Sequence, residues 1–243
     1  MTDITVSDEF ISRWPDVVLG CLQCDVEMQA REENLWKRIS ETCFSLQKKM
    51  KVEEISSHPA ISSSRKAYRA LGKDPARYRL SAEALMRRVV KEAGLYQVNN
   101  VVDIVNLVSL TTGYSIGGYD SDKIQFPVEL SVGKAEDEYY GIGRGLLNIE
   151  SLPVLKDSIG TFGNPTSDSE RTSVTMETRN FLMVIFGFGH FNAILPALDF
   201  AHELLNEYAR AGKVEIHIIK KKKDGSKKKV KVFVPGIRCP FRF

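Results

Sequence analysis

Asn99-Asn100-Val101-Val102-Asp103-Ile104-Val105-Asn106-Leu107-Val108-Ser109-Leu110-Thr111-Thr112-Gly113 is the stretch on which the fold turns. Its opening asparagines are helix-capping residues, with Asn100 as the expected cap, and Gly113 suits a left-handed helix end. Between them Val101, Val102, Ile104, Val105, Leu107, Val108 and Leu110 cover nearly every side of a helix, which predicts a buried rod. One polar stripe interrupts it, because Asp103, Asn106 and Ser109 recur every three residues. Buried polar groups must find partners. The stripe therefore either bonds neighbouring loops or lines a cavity.

On the amino-terminal side the first fifty residues read as strand, turn and strand, then a long helix from Ala30 to Met50. A helix over 59–71 follows, with Pro59 in its first turn and Gly72 at its end. Ser81 is placed to cap a helix from Ala82 to Ala93, where Ala82, Leu85, Met86, Val89, Val90 and Ala93 form the apolar face. On the carboxyl-terminal side short strands are expected at Val128–Val132, Glu138–Ile142, Leu146–Ile149, Pro153–Leu155, Thr172–Met176 and Phe181–Phe188. A helix from Pro196 to Ala211, ended by Gly212, precedes a basic hairpin at about 213–235. No repeat and no linker divides the chain, so residues 1–243 are expected to form a single α+β domain, a mixed or antiparallel sheet flanked by helices.

Composition narrows the function. The 243 residues are 43% hydrophobic and 27% charged, ordinary for a soluble protein. No stretch approaches the roughly 20 apolar residues that cross a bilayer, and no export signal opens the chain; the expected setting is the cytoplasm. Cys21 and Cys24 form a CxxC with no second pair, on a predicted strand that would turn them to opposite faces. Reduced thiols are the expectation, with no metal and no cofactor. The net charge of +3 is segregated. Residues 65–91 carry +7 and residues 213–243 carry +9, which leaves the rest at −13. Two basic segments on an acidic body suit a polyanion, although solvated lysine faces look the same in sequence.

The quoted stretch, continued through Gly117-Gly118-Tyr119-Asp120 and Asp122-Lys123-Ile124, resembles the B3/B4 domain of the phenylalanyl-tRNA synthetase β subunit. There the run reads roughly N-x-V-V-D-I-T-N, then G-x-P-x-H-A-F-D and D-K-I. Upstream, Ser64-Arg65-Lys66-Ala67-Tyr68-Arg69 and Arg77-Tyr78-Arg79-Leu80-Ser81-Ala82-Glu83-Ala84-Leu85 resemble the form of this domain that stands alone. The motif-bearing segment spans about 58–190, with fainter likeness at Gly160-Thr161-Phe162-Gly163. The resemblance implies a pocket for the aminoacyl end of tRNA, used in the synthetase to hydrolyse mischarged ester. The adenylate-forming machinery is missing, so aminoacylation is not expected. Two departures touch the pocket: Val105 stands where the synthetase has Thr, and Gly117 where it has His. Asn106 and Asp120 are retained.

On this reading Asn99, Asp103, Asn106, Tyr119, Asp120, Gly160 and Gly163 are the candidate ligand-binding residues. Hydrolysis of an activated ester needs a positioned water and oxyanion donors. The candidates for that work are Asn106, the backbone of Gly117 and Gly118, and His190, which lies between an apolar strand and a helix. Each glycine has the plainer alternative of a turn requirement. Arg65, Arg69, Arg77, Arg79 and Arg87 are candidates to grip RNA phosphates, with Tyr68 and Tyr78 to stack on unpaired bases; any of these arginines can instead pair with the acidic body. The partner expected is tRNA or aminoacyl-tRNA, or a free amino acid. Three functions are open: a trans-editing hydrolase, a non-catalytic binding module with the same pocket, and a structural or partner-binding protein resting on the basic tail.

Overall fold

The structure is a computed structural model, which describes residues 3–189, 193–220 and, for the backbone, 221 and 227–232. In chain order the elements are β1 (Ile4–Val6), α1 (Asp8–Arg13), β2 (Val18–Asp25), α2 (Glu33–Lys49), α3 (Pro59–Ala70), α4 (Ser81–Val90), α5 (Asn100–Thr112), β3 (Ser115–Asp120), β4 (Val128–Val132), β5 (Tyr140–Gly141), β6 (Gly145–Leu146), β7 (Pro153–Lys156), β8 (Thr161–Gly163), β9 (Asn180–Gly187), α6 (Ile194–Ala209), β10 (Gly212–Lys221) and β11 (Lys227–Val232). The architecture is α+β.

Among the described residues one sheet is ordered β11-β10-β2-β9-β3, with every neighbour antiparallel. A second, ordered β1-β4-β7-β8, is mixed, because β1 runs parallel to β4. Strand β9 explains the layering. Phe181, Met183 and Ile185 pack with α5 and α6, while Leu182, Val184 and Phe186 pack with the second sheet. All six are fully buried, each contributing about 1.5–3 kcal/mol of apolar transfer free energy. A strand covered on both faces reads as a continuous apolar run rather than an alternating one. Cys21 and Cys24 on β2 fall on opposite faces as their spacing required. A third cluster joins α3 and α4 to β7 through Tyr68, Leu80, Met86, Val89, Tyr139, Ile149 and Val154.

Several elements differ from expectation. A short helix, α1, stands where a turn was read, capped by Ser7 Oγ accepting from Phe10 N–H at 3.1 Å. The cap of α5 is Asn99, whose Oδ1 accepts from Val102 N–H, with Gly113 left-handed at φ +73°. Asn100 is instead a fully buried clamp: its Oδ1 accepts from Gln29 N–H, and its Nδ2 donates to the carbonyls of Glu27 and Tyr208. Gly113 needs its missing side chain twice, for that φ and because a Cβ there would overlap the His58 ring. Ser81 is the first residue of α4 and caps nothing; its N–H donates to the Pro165 carbonyl, which ties the helix start to the 164–169 loop. Arg210 in the left-handed conformation, not Gly212, closes α6.

Thr172–Met176 is not a strand. Glu170–Thr172 forms a 3-10 turn, and the hydroxyls of Thr175 and Thr178 accept from nearby backbone N–H groups, an alternative to a sheet ladder. Conversely β3 and β8 are strands that no expectation included. Of the basic hairpin at about 213–235, β10 pairs with β11 in register from Ile216↔Val232 to Lys221↔Lys227, and β11 is the sheet edge; residues 222–226 and 233–235 lie outside the described residues. Lysine on an edge strand blunts edge-to-edge association. Among the described residues no helix is long and apolar enough to cross a membrane.

Candidate active site

The three polar residues of the α5 stripe part company. Asp103 is committed to structure, its carboxylate accepting from Trp36 Nε1–H at 2.7 Å and Val98 N–H at 3.2 Å. Ser109 donates to the Tyr114 carbonyl at 2.8 Å. Asn106 has no hydrogen-bond partner among the described residues and opens on a cavity of about 450 Å³. Val98, Val102 and Val105 line it beside Asn106, together with Ile116 and Gly118 of β3. Ser81, Ile142, and the segment Asn164, Ser167, Asp168, Ser173 and Val174 complete it.

Asp168 is the residue that sequence reasoning missed. Its carboxylate accepts from the Tyr119 hydroxyl at 2.8 Å and from the Gly118 N–H, which the sheet-edge position of β3 leaves free of a strand partner. Burial pushes this carboxyl up to about 7, against the opposing pull of those two donors. A carboxyl poised near neutrality on a cavity wall is a candidate general base. Asn164 fixes the loop that carries it, because its Oδ1 accepts from Thr166 and Ser167 N–H. The only sequence signal was a polar Asn-Pro-Thr-Ser-Asp-Ser run, which reads as loop whatever it does.

Gly117 does not face this cavity. It lies on the opposite face of β3, where a Cβ would overlap the Tyr119 hydroxyl. The space beside Gly117 is filled by the protein's own Tyr119. Gly163 supports the same ring from β8, and Tyr119 is fully buried, edge-on to Phe162 with centroids 5.1 Å apart. Gly163→Ala is accordingly expected to cost about 1–3 kcal/mol by overpacking and to pull the Tyr119 hydroxyl from Asp168. A thermal melt and a shifted Asp168 titration, followed by carboxyl-selective NMR, check both parts.

The remaining candidates separate in the same way. Gly118 borders the cavity, but its N–H is already donated to Asp168 and is not an open oxyanion donor. Gly160 sits in a turn, its N–H given to Asp157 Oδ1 at 3.1 Å and its carbonyl accepting from Asp157 N–H and Arg171. Asn99 is spent on its cap. Asp120 holds Thr178 Oγ1 at 3.0 Å, Lys123 Nζ at 3.4 Å and Asp122 N–H. None of Asn99, Asp103, Tyr119, Asp120, Gly117, Gly160 or Gly163 lines the cavity. His190 lies outside the described residues.

The arginines divide too. Arg65 and Arg87 both pair with Glu83, which is 1% exposed, at 2.8 and 3.0 Å; they are occupied. Arg69, Arg77 and Arg79 are exposed and have no carboxylate partner among the described residues. Tyr68 is fully buried and shares a hydrogen bond with Thr166, so it cannot stack on a base. One face of Tyr78 is covered by Lys73, whose ammonium lies 4.2 Å from the ring centre. Among the described residues, no group of three or more His, Cys, Asp or Glu is placed to hold a metal ion.

Comparison with known families places the chain. The sequence profile of the B3/4 domain matches residues 63–210, a span that holds α4, α5, β3, the 164–174 segment and thus the whole cavity. The chain belongs to the B3/4 domain family. No curated protein matches it. Among solved structures it is similar to an N-terminal fragment of the phenylalanyl-tRNA synthetase beta-subunit from Pyrococcus horikoshii, at 15% identity and a TM-score of 0.49. That match covers 96% of this chain and 57% of the other. Within the matched span Asn106 opens on the cavity, while Val105 and Ile116 make the neighbouring wall apolar.

Proposed function

We propose that this B3/4 protein is a trans-acting hydrolase of mischarged aminoacyl-tRNA, and that the cavity between α5 and the 164–174 segment takes the aminoacyl end. The observation that carries the reading is the pairing of an uncommitted amide, Asn106, with a carboxyl near neutrality, Asp168, on one cavity. In that arrangement the Asp168 carboxylate takes a proton from water as its oxygen attacks the ester carbonyl. Asn106 Nδ2–H steadies the developing oxyanion, a role expected here of an amide side chain because the glycine N–H groups are engaged. The carbon–oxygen bond to ribose then breaks, and the proton returns from Asp168 to the ribose oxygen. Free amino acid and uncharged tRNA leave. Acting as one domain in the cytoplasm, such an enzyme would need no adenylation machinery.

The engaged backbone donors favour a second reading, a binding module that holds the aminoacyl end without turnover. A panel of mischarged tRNAs, with ester loss followed over time, separates the two. Turnover of particular esters is expected; tight binding without ester loss selects the second reading, and neither removes RNA from the account. Asn106→Ala should lower kcat/KM by about 10²–10³, the scale of losing one oxyanion donor. Since Asn106 bonds nothing in the fold, the variant's stability should stay within about 0.5 kcal/mol of the parent's. Matched losses of stability and activity would mark the residue as structural.

A further inference from the structure

A second hollow, about 500 Å³, adjoins the first and shares Asn164 with it. The β5–β6 hairpin stands between them: Ile142 lines the first, Arg144 and Leu146 the second. Arg77, Arg79 and Arg144 converge on this second hollow, and no Asp or Glu lines it. Among the described residues none of the three has a carboxylate partner. The contrast with Arg65 and Arg87 is sharp, because those two are neutralised by Glu83. The polarity is one-sided in its hydrogen bonds as well. Asn148 Oδ1 accepts from Lys73 Nζ and Glu150 N–H, which turns its Nδ2 into a spare donor beside the arginines. Three guanidiniums in one hollow repel each other unless an anion joins them, and planar guanidinium forks match phosphate oxygens.

We infer that the Arg77–Arg79–Arg144 hollow is a phosphodiester site, which seats the phosphate next to the terminal adenosine of a ligand whose aminoacyl end occupies the Asp168 cavity. The second half of that statement rests on the function proposed above; the first does not. The paired hollows form a bipolar receptor, with a carboxyl at one end and guanidiniums at the other. An aminoacylated RNA end has the matching order, the ester on which the carboxyl acts at its tip and a phosphate one nucleoside back. Arg144 was not among the sequence candidates, because a lone arginine in a glycine-rich hairpin carries no signal until the fold brings it to Arg77 and Arg79.

The test titrates the full chain, at low salt, with three probes. These are the dinucleotide CpA, CpA with an uncharged methylphosphonate in place of its phosphodiester, and CpA whose 3′ position carries a phenylalanyl amide. The parent is compared with an Arg79→Ala, Arg144→Ala double variant; both side chains are exposed, so the fold is expected to survive, and a thermal melt verifies it. CpA should bind the parent at least tenfold more tightly than the double variant does, and at least tenfold more tightly than the methylphosphonate binds the parent. Equal binding of CpA and methylphosphonate, or no loss in the double variant, overturns the phosphodiester site. The aminoacyl amide reports separately on the cavity. If it adds affinity while the charge of CpA adds none, the cavity reading stands and this site falls; if only the charge matters, the site stands and the cavity reading falls.

Discussion

Asp168→Asn is expected to slow ester hydrolysis by about 10²–10⁴-fold, the usual contribution of a general base, while binding of a non-hydrolysable aminoacyl amide persists. The parent's kcat/KM, corrected for uncatalysed ester loss, should rise with pH and level off above about 7, where the carboxyl is ionised. The variant should lose that rising limb. A stability signature accompanies it, with its own sign. The folded-state value lies above the usual one near 4, so the native protein holds this proton more tightly than the unfolded chain does. Asp168 therefore contributes stability below about pH 4, which is lost as the pH climbs through about 7. The loss is up to about 4 kcal/mol at 1.36 kcal/mol per pH unit, and less because the carboxyl is partly screened by solvent at the cavity. Asp168→Asn should flatten that decline. Denaturant melts at a series of pH values check it, and an unchanged slope would remove the carboxyl from the wall of the cavity in its buried, proton-holding state.

Glu83→Ala should destabilise the fold by about 2–4 kcal/mol, somewhat under the 3–5 kcal/mol typical of breaking a buried ion pair, because Arg65 and Arg87 retain some solvent. At this chain length that corresponds to a fall of roughly 6–12 °C in Tm. The three residues connect α3 to the first turn of α4, and each arginine also donates to a carbonyl, Arg65 to Pro75 and Arg87 to Val52. Arg65→Ala and Arg87→Ala should behave as stability variants, with RNA affinity of the folded fraction little altered. A large loss of RNA affinity at unchanged Tm in either would return these arginines to the binding surface.

The elements that were legible are those whose patterns need no partner to interpret. The α5 rod, the Pro59 start of α3, the apolar face of α4, the β4 strand and the buried run of β9 all followed from spacing and caps. The β3 strand did not. Ser115-Ile116-Gly117-Gly118-Tyr119-Asp120 has two glycines and low strand preference, and it is a strand because β9 offers it a ladder. The site was half legible. Asn106 was singled out by the resemblance, whereas the periodicity alone does not separate it from Asp103 and Ser109; contacts with Trp36, Val98 and Tyr114 do.

Local chemistry along the chain determined where helices begin and end, which faces are apolar, and that a polar seam crosses a buried rod. Tertiary packing decided which polar groups remain uncommitted. A side chain's hydrogen-bond partners come from residues far away in sequence, as Asp168 takes Tyr119 and Glu83 takes Arg65. Burial likewise depends on what covers a residue, so a loop aspartate becomes a near-neutral carboxyl only once β3 lies against it.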